Sequence, residues 1–128
     1  MSGGRQNTGR LGEELAARYL EGKGYRVAAR NYRCPVGELD LVVEGPEGLI
    51  FVEVRTKRQP CLVLPEETIT TSKARRLAKL AEWYVTSHGQ EERPWRVDLI
   101  AVELGPEGEL VRLERFEDAV AGVVADGG

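Results

Sequence analysis

The chain has 128 residues, 41% of them apolar and 30% charged, a composition that fits one soluble globular domain with a modest core. No apolar run approaches the roughly 20 residues of a membrane-spanning helix, the start Met1-Ser2-Gly3-Gly4-Arg5 lacks a signal-peptide core, and Cys34 and Cys61 make no disulfide framework, so two reduced thiols in the cytoplasm are expected. The net charge of −3 argues only weakly against a nucleic-acid partner, because residues 1–80 hold 14 Lys and Arg against 10 Asp and Glu while residues 81–128 hold 4 against 11, a division compatible with one basic face.

Residues 1–8 are polar and Gly-rich and read as a loose terminus. From about Gly9 to Lys23 the pattern is helical, with Leu11, Leu15, Ala16, Tyr19 and Leu20 on one side and Gly24 as the C-terminal cap. Tyr25 to Asn31 reads as a strand. Glu38 to Glu44 and Leu49 to Thr56 read as two more, a hairpin around Gly45-Pro46-Glu47-Gly48. Lys57 to Pro65 is a loop. Thr71 or Ser72 is placed to cap a helix that runs to about Ser87 on a stripe of Leu77, Leu80, Ala81 and Tyr84, with Trp83 beside it in the core. Trp95 to Leu104 is a strand, Glu109 to Leu113 another, and residues 117–128 form a tail. The order α-β-β-β-α-β-β makes an α/β domain over residues 9–116, with a mixed central sheet flanked by helices. His88, near a helix end, suits a C-terminal charge partner. One His and two distant Cys lack zinc spacing, and no phosphate-binding glycine loop is present.

Two strands each carry a carboxylate inside an apolar run: Asp40 in Leu39-Asp40-Leu41-Val42-Val43, and Glu53 in Leu49 to Val54. A carboxylate buried among apolar residues is costly unless paired or bound to a cation. Mg²⁺ is commonly held by one or two carboxylates together with substrate phosphate and water, so Asp40 and Glu53 on adjacent strands point to a divalent metal centre, with the Val54 carbonyl as a further donor. Residues two apart on a strand share a face, which places Glu53, Arg55 and Lys57 together. The competing reading is an ordinary ion pair of Glu53 with Arg55 or Lys57; it leaves Asp40 without an account. On the first helix, Glu14 has Arg10 and Arg18 one turn away, as on a solvated face. Glu13 has Gly9, Ala16 and Ala17 as neighbours, small enough for the helix to approach the sheet and aim Glu13 inward as a third carboxylate. Its alternative is a solvent-facing glutamate that favours the helix dipole.

These residues resemble a known nuclease pattern. Gly9-x-x-x-Glu13, Gly37-Glu38-Leu39-Asp40 and Glu53-Val54-Arg55 are similar to the PD-(D/E)xK core. More closely, they resemble the uncharacterised bacterial YraN-type family, itself similar to archaeal Holliday-junction resolvases. The likeness continues through Pro65 to Thr70, Ser72-Lys73 and Trp95 to Val102, covering about residues 9–104. It implies a restriction-endonuclease-like core in which Asp40 and Glu53 hold Mg²⁺ or Mn²⁺, Glu13 assists, and a metal-activated water hydrolyses DNA phosphodiesters. Branched or repair intermediates are the implied substrates, and a homodimer the implied assembly. One residue departs from the pattern: the core usually has Lys where this chain has Arg55. Arg keeps its charge and makes a poor base, although it can still stabilise a phosphate. Lys57, two residues on, is the expected substitute. The departure also supports a different class, a non-catalytic nucleic-acid-binding or repair-accessory protein on the same fold. A structural adaptor that meets a partner through the acidic half is a third class.

The second helix carries Lys73, Arg75, Arg76 and Lys79, spaced one turn apart, as a phosphate-binding cluster would be. With Arg58 they form the expected nucleic-acid surface; a plain solvated face is the alternative. Arg30 and Arg33, placed on a loop before Gly37, are weaker candidates. Asp98 is expected to be structural, paired with Arg96.

Overall fold

The apolar stripes and runs fold as their periods require. The computed structural model describes residues 4–121, and the remaining parts of the expected terminus and tail lie outside them. Helix α1 spans Gly4–Gly22. Strands β1 (Arg26–Cys34), β2 (Gly37–Gly45) and β3 (Gly48–Arg58) follow. A 3₁₀ turn at Pro65–Thr68 leads into α2 (Thr71–Ser87), then β4 (Trp95–Leu104) and β5 (Leu110–Phe116). The five strands form one sheet in the order β1-β2-β3-β4-β5. Only β3 and β4 run parallel, because the α2 crossover returns the chain to the same end.

The sheet is covered on both faces. Ala16, Ala17 and Leu20 of α1 pack on Leu41, Val43, Ile50 and Val52. Leu77, Leu80, Ala81 and Tyr84 of α2 pack on Leu39, Val42 and Phe51 on the other face. The central strands are therefore apolar on both sides, which explains their unbroken Val, Ile and Leu runs. The close approach of α1 depends on Gly12, where a Cβ would overlap the Thr56 side chain. Of the small residues expected to allow this approach, Ala16 and Ala17 are buried against the sheet, whereas Gly9 has nothing within 4 Å of an added Cβ.

Several boundaries differ from expectation. Helix α1 begins at Gly4, and β1 continues to Cys34, so Arg30 and Arg33 lie on a strand rather than a loop. The cap of α2 is Thr70, whose hydroxyl accepts from the Lys73 N–H at 3.0 Å. Trp83 is 40% exposed and not in the core. The first residues of the expected tail pack on the sheet: Ala119 donates to the Val97 carbonyl at 2.8 Å, and Val120 is buried. His88 closes α2, its backbone N–H bonded to the Tyr84 carbonyl at 3.0 Å.

One irregularity positions the site. The β2–β3 ladder runs from Gly45↔Gly48 to Leu41↔Val52 and stops. Beyond it β2 stays with β1 as far as Gly37, while β3 stays with β4 as far as Arg58. Leu39 packs on the α2 side and Leu41 on the α1 side although they are two residues apart. Strand β2 thus rotates at Asp40, where the two strands part.

Candidate functional site

The parting of β2 and β3 leaves the Val54 N–H without a backbone acceptor on β2, and Asp40 supplies one: Val54 N donates to Asp40 Oδ2 at 2.8 Å. This bond draws the Asp40 carboxyl toward β3, beside Glu53. The two carboxyl groups are close enough for each to shift the other's titration. Burial first, and then the Asp40 charge, push Glu53 up to about 7, against the pull of Lys73 and Arg55. Asp40 is also held above the ordinary carboxylate range, by burial, although the Val54 N–H opposes the shift.

Two cations meet the same oxygen of Glu53. Arg55 Nε lies 3.1 Å from Glu53 Oε2, and Lys73 Nζ lies 3.7 Å from it. Arg55 Nε is buried without a well-aligned hydrogen bond, so its link to Glu53 is an ion pair of poor direction. On the α2 side, Glu53 borders a cleft of about 520 Å³ that is also lined by Thr70, Thr71, Asp98 and Phe116. Asp98 is structural, as expected: Arg96 grips both its oxygens at 2.9 and 3.3 Å, and the Asp118 N–H donates to it at 2.9 Å.

Glu13 occupies the other side of Asp40, in a hollow shared with Arg10, Glu14, Arg30 and Asn31. Burial, followed by the charges of Asp40 and Glu38, raises its pKa. The Asn31 amide nitrogen, turned toward them, lies 3.3 Å from both Glu13 Oε1 and Glu38 Oε2. Asn31 adopts φ 49°, a left-handed conformation that Asn tolerates. Glu14 faces outward, between Arg18 at 3.0 Å and Arg30 at 2.8 Å. Glu13 thus neighbours Asp40 but does not join Asp40 and Glu53 in one cluster. Among the described residues, no three His, Cys, Asp or Glu side chains converge as a metal-binding set.

The basic candidates separate. Lys57 lines a different hollow, with Thr8, Gly9, Arg58 and Leu62, and forms no ion pair with either carboxylate among the described residues. Arg58 is tied to Thr8 Oγ1 at 3.2 Å and to the Pro106 carbonyl at 3.1 Å, a link between β3, α1 and the β4–β5 turn. Arg75, Arg76 and Lys79 are exposed on the outer side of α2. Lys73 turns inward. The sequence held a signal for this: Lys73 extends the Leu77, Leu80 and Tyr84 stripe one turn toward the helix start.

The class is therefore a mixed α/β domain whose five-stranded sheet brings the buried Glu53, the half-buried Asp40 and two cations to the point where β2 and β3 part. The chain belongs to the family described as uncharacterised protein family UPF0102, whose profile matches residues 12–102. It is 47% identical over 119 residues to a UPF0102 protein of Pelotomaculum thermopropionicum, an alignment covering 93% of this chain and 99% of that protein. It is 43% identical over 121 residues to a UPF0102 protein of Dehalococcoides mccartyi, covering 94% and 98%. Among solved structures, Pyrococcus furiosus SfsA in complex with Ca²⁺ aligns at a TM-score of 0.43 and 18% identity, over 88% of this chain and 63% of that one.

Proposed function

We propose that this protein is a metal-dependent endonuclease with a restriction-endonuclease-like core, hydrolysing DNA phosphodiesters at the Asp40–Glu53 pair. The observation that carries the reading is that Asp40, half-buried and held by the Val54 N–H, and the buried Glu53 stand side by side at the β2–β3 divergence. The donor set suits Mg²⁺ or Mn²⁺: hard oxygens, two carboxylates, and room for phosphate and water as the other ligands. Bound between them, such an ion would supply Lewis-acid stabilisation of the phosphate and acidify a water.

The protein's own groups have distinct parts in this reading. Asp40 and Glu53 would hold the ion, and the Val54 N–H fixes the Asp40 carboxylate. Arg55 is a permanent charge beside the pair and faces the charge that builds on phosphorus. Glu13 adds negative charge on the α1 side of Asp40. Arg75, Arg76 and Lys79 meet the duplex backbone without reading sequence. The net reaction forms a P–O bond to water and breaks the bond to the leaving sugar oxygen, which gains a proton as the water loses one. Branched or repair intermediates are the proposed substrates, a homodimer the proposed form for paired cuts, and the cytoplasm the setting that suits the free thiols of Cys34 and Cys61.

The test is cleavage of a labelled four-way junction, with linear duplex and single strand as controls, in Mg²⁺, Mn²⁺ or EDTA. Metal-dependent cutting lost in Asp40→Asn and Glu53→Gln supports the reading, and equal cutting by both variants sinks it. A second reading, a non-catalytic nucleic-acid-binding protein, is favoured by the Glu53–Arg55 ion pair, which already neutralises the carboxylate. Tight junction binding without cutting would select it.

A further inference from the structure

We infer that Lys73, delivered by α2, is the phosphate-contacting lysine of this centre, standing where neither β3 residue 55 nor Lys57 provides one. The inference rests on the nuclease reading and names a residue for it.

The argument begins with the side chain itself. Lys73 Nζ lies 3.7 Å from Glu53 Oε2, the oxygen that Arg55 also approaches. An ammonium has three donors. Among the described residues, Lys73 Nζ makes this one ion pair and no hydrogen bond, so its donors remain available to an anion. Its side chain is 30% exposed, with one end on Glu53 and an open approach from solvent.

The backbone beneath it is fixed. Thr70 Oγ1 accepts from Lys73 N at 3.0 Å, and the Thr70 carbonyl accepts from Ala74 N at 2.9 Å. Ala74 is 1% exposed and locks the first turn of α2 onto the sheet. Lys73 is therefore held in place, whereas the exposed Arg75, Arg76 and Lys79 project from the outer side of the same helix.

Chemistry distinguishes the two cations. Arg55 is a planar fork with a buried, poorly directed Nε. Lys73 is a compact point charge on a flexible stem and can follow a phosphate oxygen as the phosphorus changes geometry. Lysine at this centre thus comes from the helix rather than from the strand that carries Glu53.

The experiment compares single-turnover cleavage, Mn²⁺ binding and thermal stability in wild type, Lys73→Met, Lys73→Arg and Arg55→Lys/Lys73→Met. The expected result is a fall of about 100-fold in the Lys73→Met cleavage rate with Mn²⁺ binding retained, and recovery of a large part of that loss when lysine is restored at position 55. A counterion of Glu53 alone would give neither the selective rate loss nor the rescue. Wild-type cutting with Lys73→Met undiminished overturns this inference and leaves the nuclease reading standing. No cutting by wild type, with no Mn²⁺ bound at Asp40 and Glu53, overturns both. If Lys73→Met does not fold, Lys73→Arg carries the comparison: a folded, metal-binding arginine variant at full rate overturns the demand for lysine.

Discussion

Asp40 takes the place of a β-strand. Its Oδ2 accepts the Val54 N–H at 2.8 Å where the β2 backbone has turned away, so one carboxylate serves both the sheet and the site. Asp40→Asn keeps an acceptor, while Asp40→Ala leaves a buried N–H unpaired. Urea unfolding is expected to put the alanine variant about 1–3 kcal/mol below the asparagine variant. Equal stabilities would remove Val54 from the account. Under the proposed function both variants are expected to lose Mn²⁺ binding by calorimetry.

Glu53 sets a pH window. Its folded pKa of about 7 lies above the ordinary carboxylate value of 4.5. The folded state therefore holds a proton that the unfolded chain releases between those values. The Glu53 contribution is present in full below about pH 4.5 and is lost as pH rises through about 7. Glu53→Gln has no such dependence. Melting temperatures of wild type and variant, measured without metal across pH 5 to 8, are expected to diverge in favour of the variant as pH rises; parallel curves would refute the shift.

Divalent metal should act in the opposite sense. In the proposed site an ion competes with the proton on Glu53, so added Mg²⁺ or Mn²⁺ is expected to raise the melting temperature more at pH 8 than at pH 5.5. A Mn²⁺ shift that is independent of pH, or that persists in Glu53→Gln, would place the ion elsewhere.

Gly12 is a packing requirement. A methyl there meets the Thr56 hydroxyl. Gly12→Ala is expected to cost about 1–3 kcal/mol through overpacking, with Thr56→Ala in the same chain restoring part of it. A stable single variant would mean that α1 slides freely over β3.

The outer basic face of α2 is tested by salt. Each phosphate contact contributes about 0.9 to the slope of log affinity against log salt concentration. Replacing Arg75, Arg76 and Lys79 with glutamine should flatten that slope by up to about 3. An unchanged slope would return these residues to plain surface charge.

The element order was legible because buried strands and an amphipathic stripe leave strong periodic patterns. Asp40 and Glu53 stood out because a carboxylate in an apolar run breaks that pattern. Their meeting follows from adjacent strands, but the means of it was not legible, since it depends on β2 rotating at Asp40, a feature of strand pairing across the chain. Lys57 was misplaced for the same reason: strand alternation gives a face, not the hollow in which a side chain ends. The sequence groups Lys73 with the nucleic-acid-binding cluster of α2 by its charge, although its phase sets it apart by continuing the Leu77 and Leu80 stripe. Trp83 erred the other way, its bulk suggesting a core that its helix phase does not reach.

The parallel pairing of β3 with β4 also has a kinetic meaning. The β2–β3 hairpin closes over a tight turn, so Asp40 and Glu53 can find each other early. Leu49 meets Trp95 only after the whole α2 crossover has been laid down, and Lys73 travels with that crossover. Contacts so distant in sequence form slowly. The acidic half of the centre thus closes over a shorter stretch of chain than the contact that brings Lys73 to it.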